Sequence, residues 1–298
     1  MLWRLHIRPD PKNGKTHEHV ISYCIENHVA GIGWPVAGNI STPSEYEQAA
    51  RSQYGSRVSS IPFAYNPAIG EYIWARDKNG RYYLGRIRSD WFYSNDPIHL
   101  ELDIPNQRKC EWVRIGNEEN VPGKIVACFR PAKTFQAVRD SQMEDFSKWA
   151  FLHDPSRNFL AEWLKEQRIE KKTFFSFIQP DDCEDIVGLY LQKIKGYCLI
   201  PSSCKKTTIG HEFILKHSIT SQTAIAQVKQ GGENLDERLR RNADHVFLFS
   251  TDGLVTSNST DVTVLTTDEL FEFVCQNRML LPSRMDYWFH LLDRINLK

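Results

Sequence analysis

The chain has 298 residues, with 37 basic and 37 acidic side chains and a formal net charge of zero. Hydrophobic residues make up 41% and charged residues 25%, proportions that exclude a disordered chain. The balanced charge excludes a passive nucleic-acid coat and leaves room for an enzyme with one local basic groove. The length suggests two domains of about 150 residues each. No apolar run approaches the ~18 residues of a membrane span, and the start, Met1-Leu-Trp-Arg-Leu-His, has no signal-peptide core. Seven cysteines, an odd number without a C-x-x-C spacing, read as reduced thiols. The expectation is a cytoplasmic protein with no membrane partner.

In chain order, Glu45–Ser52 reads as a short helix. Glu71–Arg76, the turn Asp77-Lys-Asn-Gly80 and Arg81–Ile87 read as a hairpin. Ile98–Ile104, Cys110–Ile115 and Ile125–Arg130 are further predicted strands. Ser141-Gln-Met-Glu144 is a capping-box pattern opening a helix, and Arg157–Lys172 has apolar residues at helical spacing. Beyond these come a helix over Asp182–Lys195 and strands over Tyr197–Ile200, His211–Lys216 and Thr223–Lys229. A helix over Leu235–Ala243, strands over His245–Ser250 and Val262–Leu265, and helices over Thr267–Gln276 and Arg284–Arg294 complete the pattern. The expected fold is α+β in two domains. Residues 1–140 form a small, mostly-β barrel, 141–172 a helical connector, and 173–298 an α/β core around a small mixed sheet.

Several motifs fail. Gly14-Lys15-Thr16 ends like a phosphate loop, but Pro9 stands where its first glycine belongs, and Gly31-Ile-Gly33 lacks a third glycine. His17-Glu-His19 reads as an exposed loop. Cys198, Cys204, His211 and His217 match no common zinc spacing. Cys24 and His28, four apart, show no third group to orient them, so a core thiol and a surface imidazole are favoured over a nucleophile pair.

The constellation that survives lies in Asp181–Phe249. Side chains alternate along a strand, so Gln227 and Lys229 share a face and Val228 points to the other. If the strands around 211–216 and 223–229 pair as a hairpin, Glu212 lies beside Gln227. A carboxylate and an amide carbonyl supply hard oxygen ligands that suit Mg²⁺. The Lys229 ammonium then orients or deprotonates a water, or neutralises charge on phosphate.

Over about 70 residues this order resembles the PD-(D/E)XK nuclease superfamily, in particular its Mrr-like restriction branch. Cys183–Leu191 looks like the opening helix with its acid, Gly196-Tyr197 like the pair that follows, and Gln227-Val-Lys229 like the Gln-x-Lys variant of the second motif. The resemblance implies a restriction-endonuclease-like core for 173–298. It implies catalytic roles for Glu212, Gln227, Lys229 and Glu184, with Glu212 and Gln227 holding Mg²⁺ or a substituting Mn²⁺. Glu212 departs from the usual Asp. Glu184 has a second reading, since Asp181-x-x-Glu184 is itself a capping-box pattern, and Asp185 is the next choice for its role. Lys205 and Lys206 are a solvated loop or a hold on the phosphate backbone. The implied activity is Mg²⁺-dependent endonucleolytic cleavage of foreign or modified nucleic acid, DNA favoured over RNA, in anti-phage defence, with a homodimer for double-strand cutting. An infection-triggered nuclease acting on host DNA or RNA, sensing a phage-derived trigger, and a catalytically silent binding module remain as alternatives.

Five of eight tryptophans fall in the first 112 residues, interleaved with arginines. Trp34, Trp74 and Trp91 are the candidates for stacking a base, with Arg76 and Arg86 on phosphate. This spacing is similar to PUA-like, EVE-type barrels, and the similarity implies recognition of modified bases or RNA by residues 1–140. The competing reading places about half of these aromatics in a β-barrel core.

Overall fold

The structure, a computed structural model, describes residues 1–7, 10–130, 133–153, 171–204, 213–229, 243–251 and 259–289. The chain divides into two units, Met1–Val121 with Ile125–Trp163, and Pro122–Lys124 with Leu164–Lys298. The fold is mixed α+β with two sheets.

In the first unit the strands are β1 (Leu2–Leu5), β2 (Val29–Ile32), β3 (Tyr72–Arg76), β4 (Tyr82–Ile87), β5 (Phe92–Tyr93), β6 (Asn106–Gly116) and β7 (Phe135–Val138). The helices are α1 (His17–Glu26), α2 (Pro43–Tyr54), α3 (Ser60–Tyr65), α4 (Pro97–Glu101), α5 (Gly123–Cys128, of which Ile125–Cys128 belong to this unit) and α6 (Ser141–Leu152). The strands form one sheet in the order β2-β6-β4-β3-β1-β7, with β5 also on β6. The sheet curls into half a barrel. The reading expects a small, mostly-β barrel over residues 1–140; among the described residues the strand path is open, ending at β2 and β7.

The predicted hairpin is β3–β4, with Arg76 opposite Tyr82 and the Asp77 carboxylate accepting the Arg81 N–H at 2.8 Å. Two predicted strands are helices instead. Over 98–104, Asp96 caps Ile98 N–H at 3.0 Å and Pro97 supplies the first turn of α4. Over 125–130, the short apolar run Ile125–Cys128 lies in α5, the kind of run whose periodicity does not separate helix from strand. The sequence signals for β1, β2, α3, β5 and β7 are too short to read, and His17–His19, expected as an exposed loop, instead opens α1 behind the N-cap Thr16.

Helices cover both faces of β3. On one face Ile73 and Ala75 join a core with Cys24 of α1, Tyr46 of α2 and Phe63 of α3. On the other, Tyr72 meets Phe151 of α6 at 5.4 Å, and Trp74 donates to Ser147 of α6 at 2.9 Å. The segment expected to open a connector therefore packs on the first unit as far as residue 152. Its N-cap is Asp140, which accepts the N–H groups of Gln142 and Met143, and not the predicted Ser141.

The second unit contains α7 (Lys171–Phe177), α8 (Pro180–Lys193), β8 (Tyr197–Leu199), β9 (Phe213–His217), β10 (Thr223–Lys229), β11 (His245–Ser250), β12 (Val262–Leu265) and α9 (Thr267–Gln276). The sheet order is β12-β11-β10-β9-β8. β8, β9 and β10 form an antiparallel meander, while β10, β11 and β12 run parallel. This is the small mixed sheet that the sequence predicts. The bounds of β10, β11, β12 and α9 match the reading; β10 and β11 are the enclosed strands, and such strands appear as largely apolar runs. The predicted helix over 235–243, and that over 157–172 as far as residue 170, lie outside the described residues. Ser283–Trp288, expected within a helix from 284, is a 3₁₀ segment.

Burial sets a pH dependence in the first unit. The His99 ring is bonded to Tyr23 Oη at 3.0 Å and Ser94 Oγ at 2.7 Å, and burial holds it below its ordinary 6.5. Its share of stability is complete above pH 6.5 and is lost as pH falls through the lower folded value. Urea unfolding at acid and neutral pH is expected to show a smaller acid loss for His99→Gln than for the native chain.

Candidate functional site

The hairpin on which the nuclease reading depends is present: Phe213 of β9 pairs with Ala226 of β10. Glu212 stands one residue before the described start of β9, and it and Lys205 and Lys206 lie outside the described residues. Gln227 is 3% exposed and pairs with Leu248 across the parallel ladder. Lys229 is half-buried at the end of β10, opposite the buried Ser250.

The two faces of this sheet separate the expected residues. Paired residues point to the same side, so Phe213, Ala226 and Phe247 share one face, and Ile214, Ile225 and Val246 the other. Gln227 and Lys229, at two-residue steps from Ile225, lie on the second face. Helix α8 packs on the first: a Cβ on its Gly188 would stand 3.4 Å from the Phe213 ring. Glu184 is half-buried in α8, the helix on that first face, whereas Gln227 and Lys229 lie on the second. The capping reading of Glu184 is corrected. The N-cap is Gln179, whose N–H is accepted by Asp182 at 3.1 Å, with Pro180 in the first turn. Asp185, the substitute for Glu184, is held with Asp182 by Arg284, each at 2.5 Å.

Among the described residues no group of three or more His, Cys, Asp or Glu is placed to hold a metal ion. Gln227 offers one amide oxygen, and Mg²⁺ needs a carboxylate besides. The described donors fit the metal only if Glu212 supplies that carboxylate. Cys24 is fully buried, with its thiol pushed up to about 12, so it is an inert core group.

The first unit divides its aromatic candidates. Trp74 is fully buried, and Trp91 is 8% exposed and donates to Asn106 at 3.2 Å. Both are core and neither offers a face to a base, because β3 and its neighbours are covered on both sides. Arg76 and Arg86 are also held: Arg76 pairs with Glu118 at 3.2 Å and lies over Tyr82, and Arg86 lies over Tyr72.

Trp34 differs. It is half-buried with a backbone φ of 70°, a conformation costly for a non-glycine residue. Its indole donates to Ser59 at 3.1 Å, and Tyr54 meets it edge-on at 5.1 Å. Both rings line a cavity of about 440 Å³, together with Asp10, Gly31, Gly33 and Asp103. A Cβ at position 33 would stand 2.5 Å from the Asp103 carboxylate, so any larger residue there would displace that side chain from its present place. Asp103 follows the last turn of α4 and accepts the Asp10 N–H at 2.9 Å, while burial pushes its carboxyl up from 3.8. Sequence reasoning missed Tyr54 and Asp103, which lie far apart along the chain and meet only through the fold.

Truncating the two core indoles tests this division. Trp74→Ala and Trp91→Ala are each expected to cost about 3–5 kcal/mol in urea unfolding, leaving Ser147 and Asn106 without a donor. Comparison of the chain with family models, with curated proteins and with solved structures gives no match.

Proposed function

We propose that the chain is a metal-dependent nuclease whose reacting centre lies at the end of β10. The observation that carries this reading is the placement of Gln227 and Lys229 on one face of the strand at which the sheet changes from antiparallel to parallel. A buried amide two residues before a half-buried ammonium, at a strand end, is an unusual use of a sheet interior. The reading requires Glu212 to reach the Gln227 amide, so that the two hold Mg²⁺ or Mn²⁺ with water completing the shell. The bound ion would supply charge neutralisation at the scissile phosphate. Lys229 then either orients the attacking water or balances charge on the phosphoryl oxygens. Glu184 is left to the other face of the sheet. DNA is the favoured polymer, and a role in defence against foreign nucleic acid follows from the resemblance alone.

A second reading, a binding protein without hydrolysis, is favoured by one observation: the described part of the site contributes no acidic cluster. Purified protein incubated with unmodified DNA, cytosine-modified DNA and structured RNA, each with Mg²⁺, Mn²⁺ or EDTA, separates the two. The nuclease reading expects metal-dependent cutting that falls at least about 100-fold in Lys229→Ala and is unchanged in Glu184→Gln. Nucleic-acid binding that is equal with and without metal, with no cutting, supports the second reading.

A further inference from the structure

We propose that the cavity walled by Trp34 and Tyr54 receives a nucleobase bearing a positive charge, with Asp103 as the residue that selects for the charge. The proposal rests on the nucleic-acid reading above and goes beyond it by naming what distinguishes the ligand.

The cavity, about 440 Å³, is within the range of small-molecule sites and large enough for a nucleoside. Among the described residues lining it, the charged side chains are Asp10 and Asp103, with no lysine or arginine. Asp103 is fixed in place, because its Oδ2 accepts the Asp10 N–H and Gly33 leaves it room against β2. The Trp34 indole is pinned by Ser59, so it is a preset wall.

An indole face and a carboxylate both attract a cation more strongly than a neutral ring. A neutral base stacks on Trp34 but adds no charge opposite the partly buried carboxylate, where a cationic base does. A phosphate is repelled by both acids, so the backbone stays outside and only the base enters. Tyr54 stands edge-on to Trp34, with their planes at 84°. Each ring offers a flat wall on which a planar cation stacks, and a perpendicular ring pair also accepts a compact ammonium group, which the trimethyllysine comparison below separates.

Methylation isomers isolate the charge. Methylation at N1 of adenosine or N3 of cytidine gives a cation at neutral pH, whereas methylation at N6 or C5 leaves the base neutral at the same mass. The full chain in EDTA, followed by tryptophan fluorescence and calorimetry, is expected to bind 1-methyladenosine and 3-methylcytidine at least about tenfold more tightly than 6-methyladenosine and 5-methylcytidine. Asp103→Asn keeps an acceptor for the Asp10 N–H and is expected to abolish that preference while leaving the neutral isomers unchanged. Tyr54→Leu, at a more exposed position, is expected to weaken all four. Equal or tighter binding of the neutral isomers overturns the proposal, as does an unchanged preference in Asp103→Asn or no nucleoside binding at millimolar concentration. Tighter binding of trimethyllysine than of either cationic nucleoside overturns the nucleobase assignment. Because no metal is present, the result is independent of whether the second unit cleaves.

Discussion

Strand β10 is the constraint from which the second unit is built. It pairs antiparallel with β9 and parallel with β11, and its residues from Ala224 to Val228 are buried. A strand enclosed in this way selects small and branched apolar side chains. A polar side chain placed there costs about 1–3 kcal/mol unless it is hydrogen-bonded, so Gln227 is a constrained group and not an incidental one. Lys229 is half-buried where the strand leaves the enclosed part of the sheet, a place suited to a side chain with an aliphatic stem and a charged head. The physical chemistry of the proposed centre is thus set by one strand and by its neighbours' registers.

The same enclosure explains what was legible in the sequence. The runs Ala224–Ala226 and Val246–Phe249 are apolar and their strands are enclosed, and Val262–Leu265 is rich in branched residues, so type and bounds can be read. What fails is the assignment of partners across the sheet. The family order sets Glu184 and Gln227 side by side, whereas the Gly188–Phe213 approach packs the helix that carries Glu184 on the face of the sheet away from Gln227. At the start of α8, Gln179 and Pro180 formed the cap while the more conspicuous Asp181 drew the reading two residues too far.

In the first unit the difficulty is that tryptophan is informative only once its cover is known. β3 looks like an alternating strand with one aromatic face free, yet α6 returns to cover that face, and this long-range packing has no local signature. Short apolar runs mislead for a related reason. Ile98–Ile104 contains strand-forming residues, but Asp96-Pro97 before it starts a helix, as N-cap and first-turn proline. Arg108 was also hidden: it is 2% exposed and donates to the carbonyls of Phe63 and Ala64 near the end of α3, an internal cap no sequence pattern announces. By contrast Trp34 follows Gly31-Ile-Gly33, and the glycines mark where Ile104 and Asp103 approach the strand.

The central claim is that Glu212 and Gln227 together form a divalent-metal site at the end of β10. Its most direct test is a Mn²⁺ titration of the full chain, followed by electron paramagnetic resonance, beside Glu212→Gln. The account predicts saturable binding by the native chain that is lost in Glu212→Gln while far-UV circular dichroism is unchanged. Equal Mn²⁺ binding by the two proteins, or none by the native chain, would contradict it.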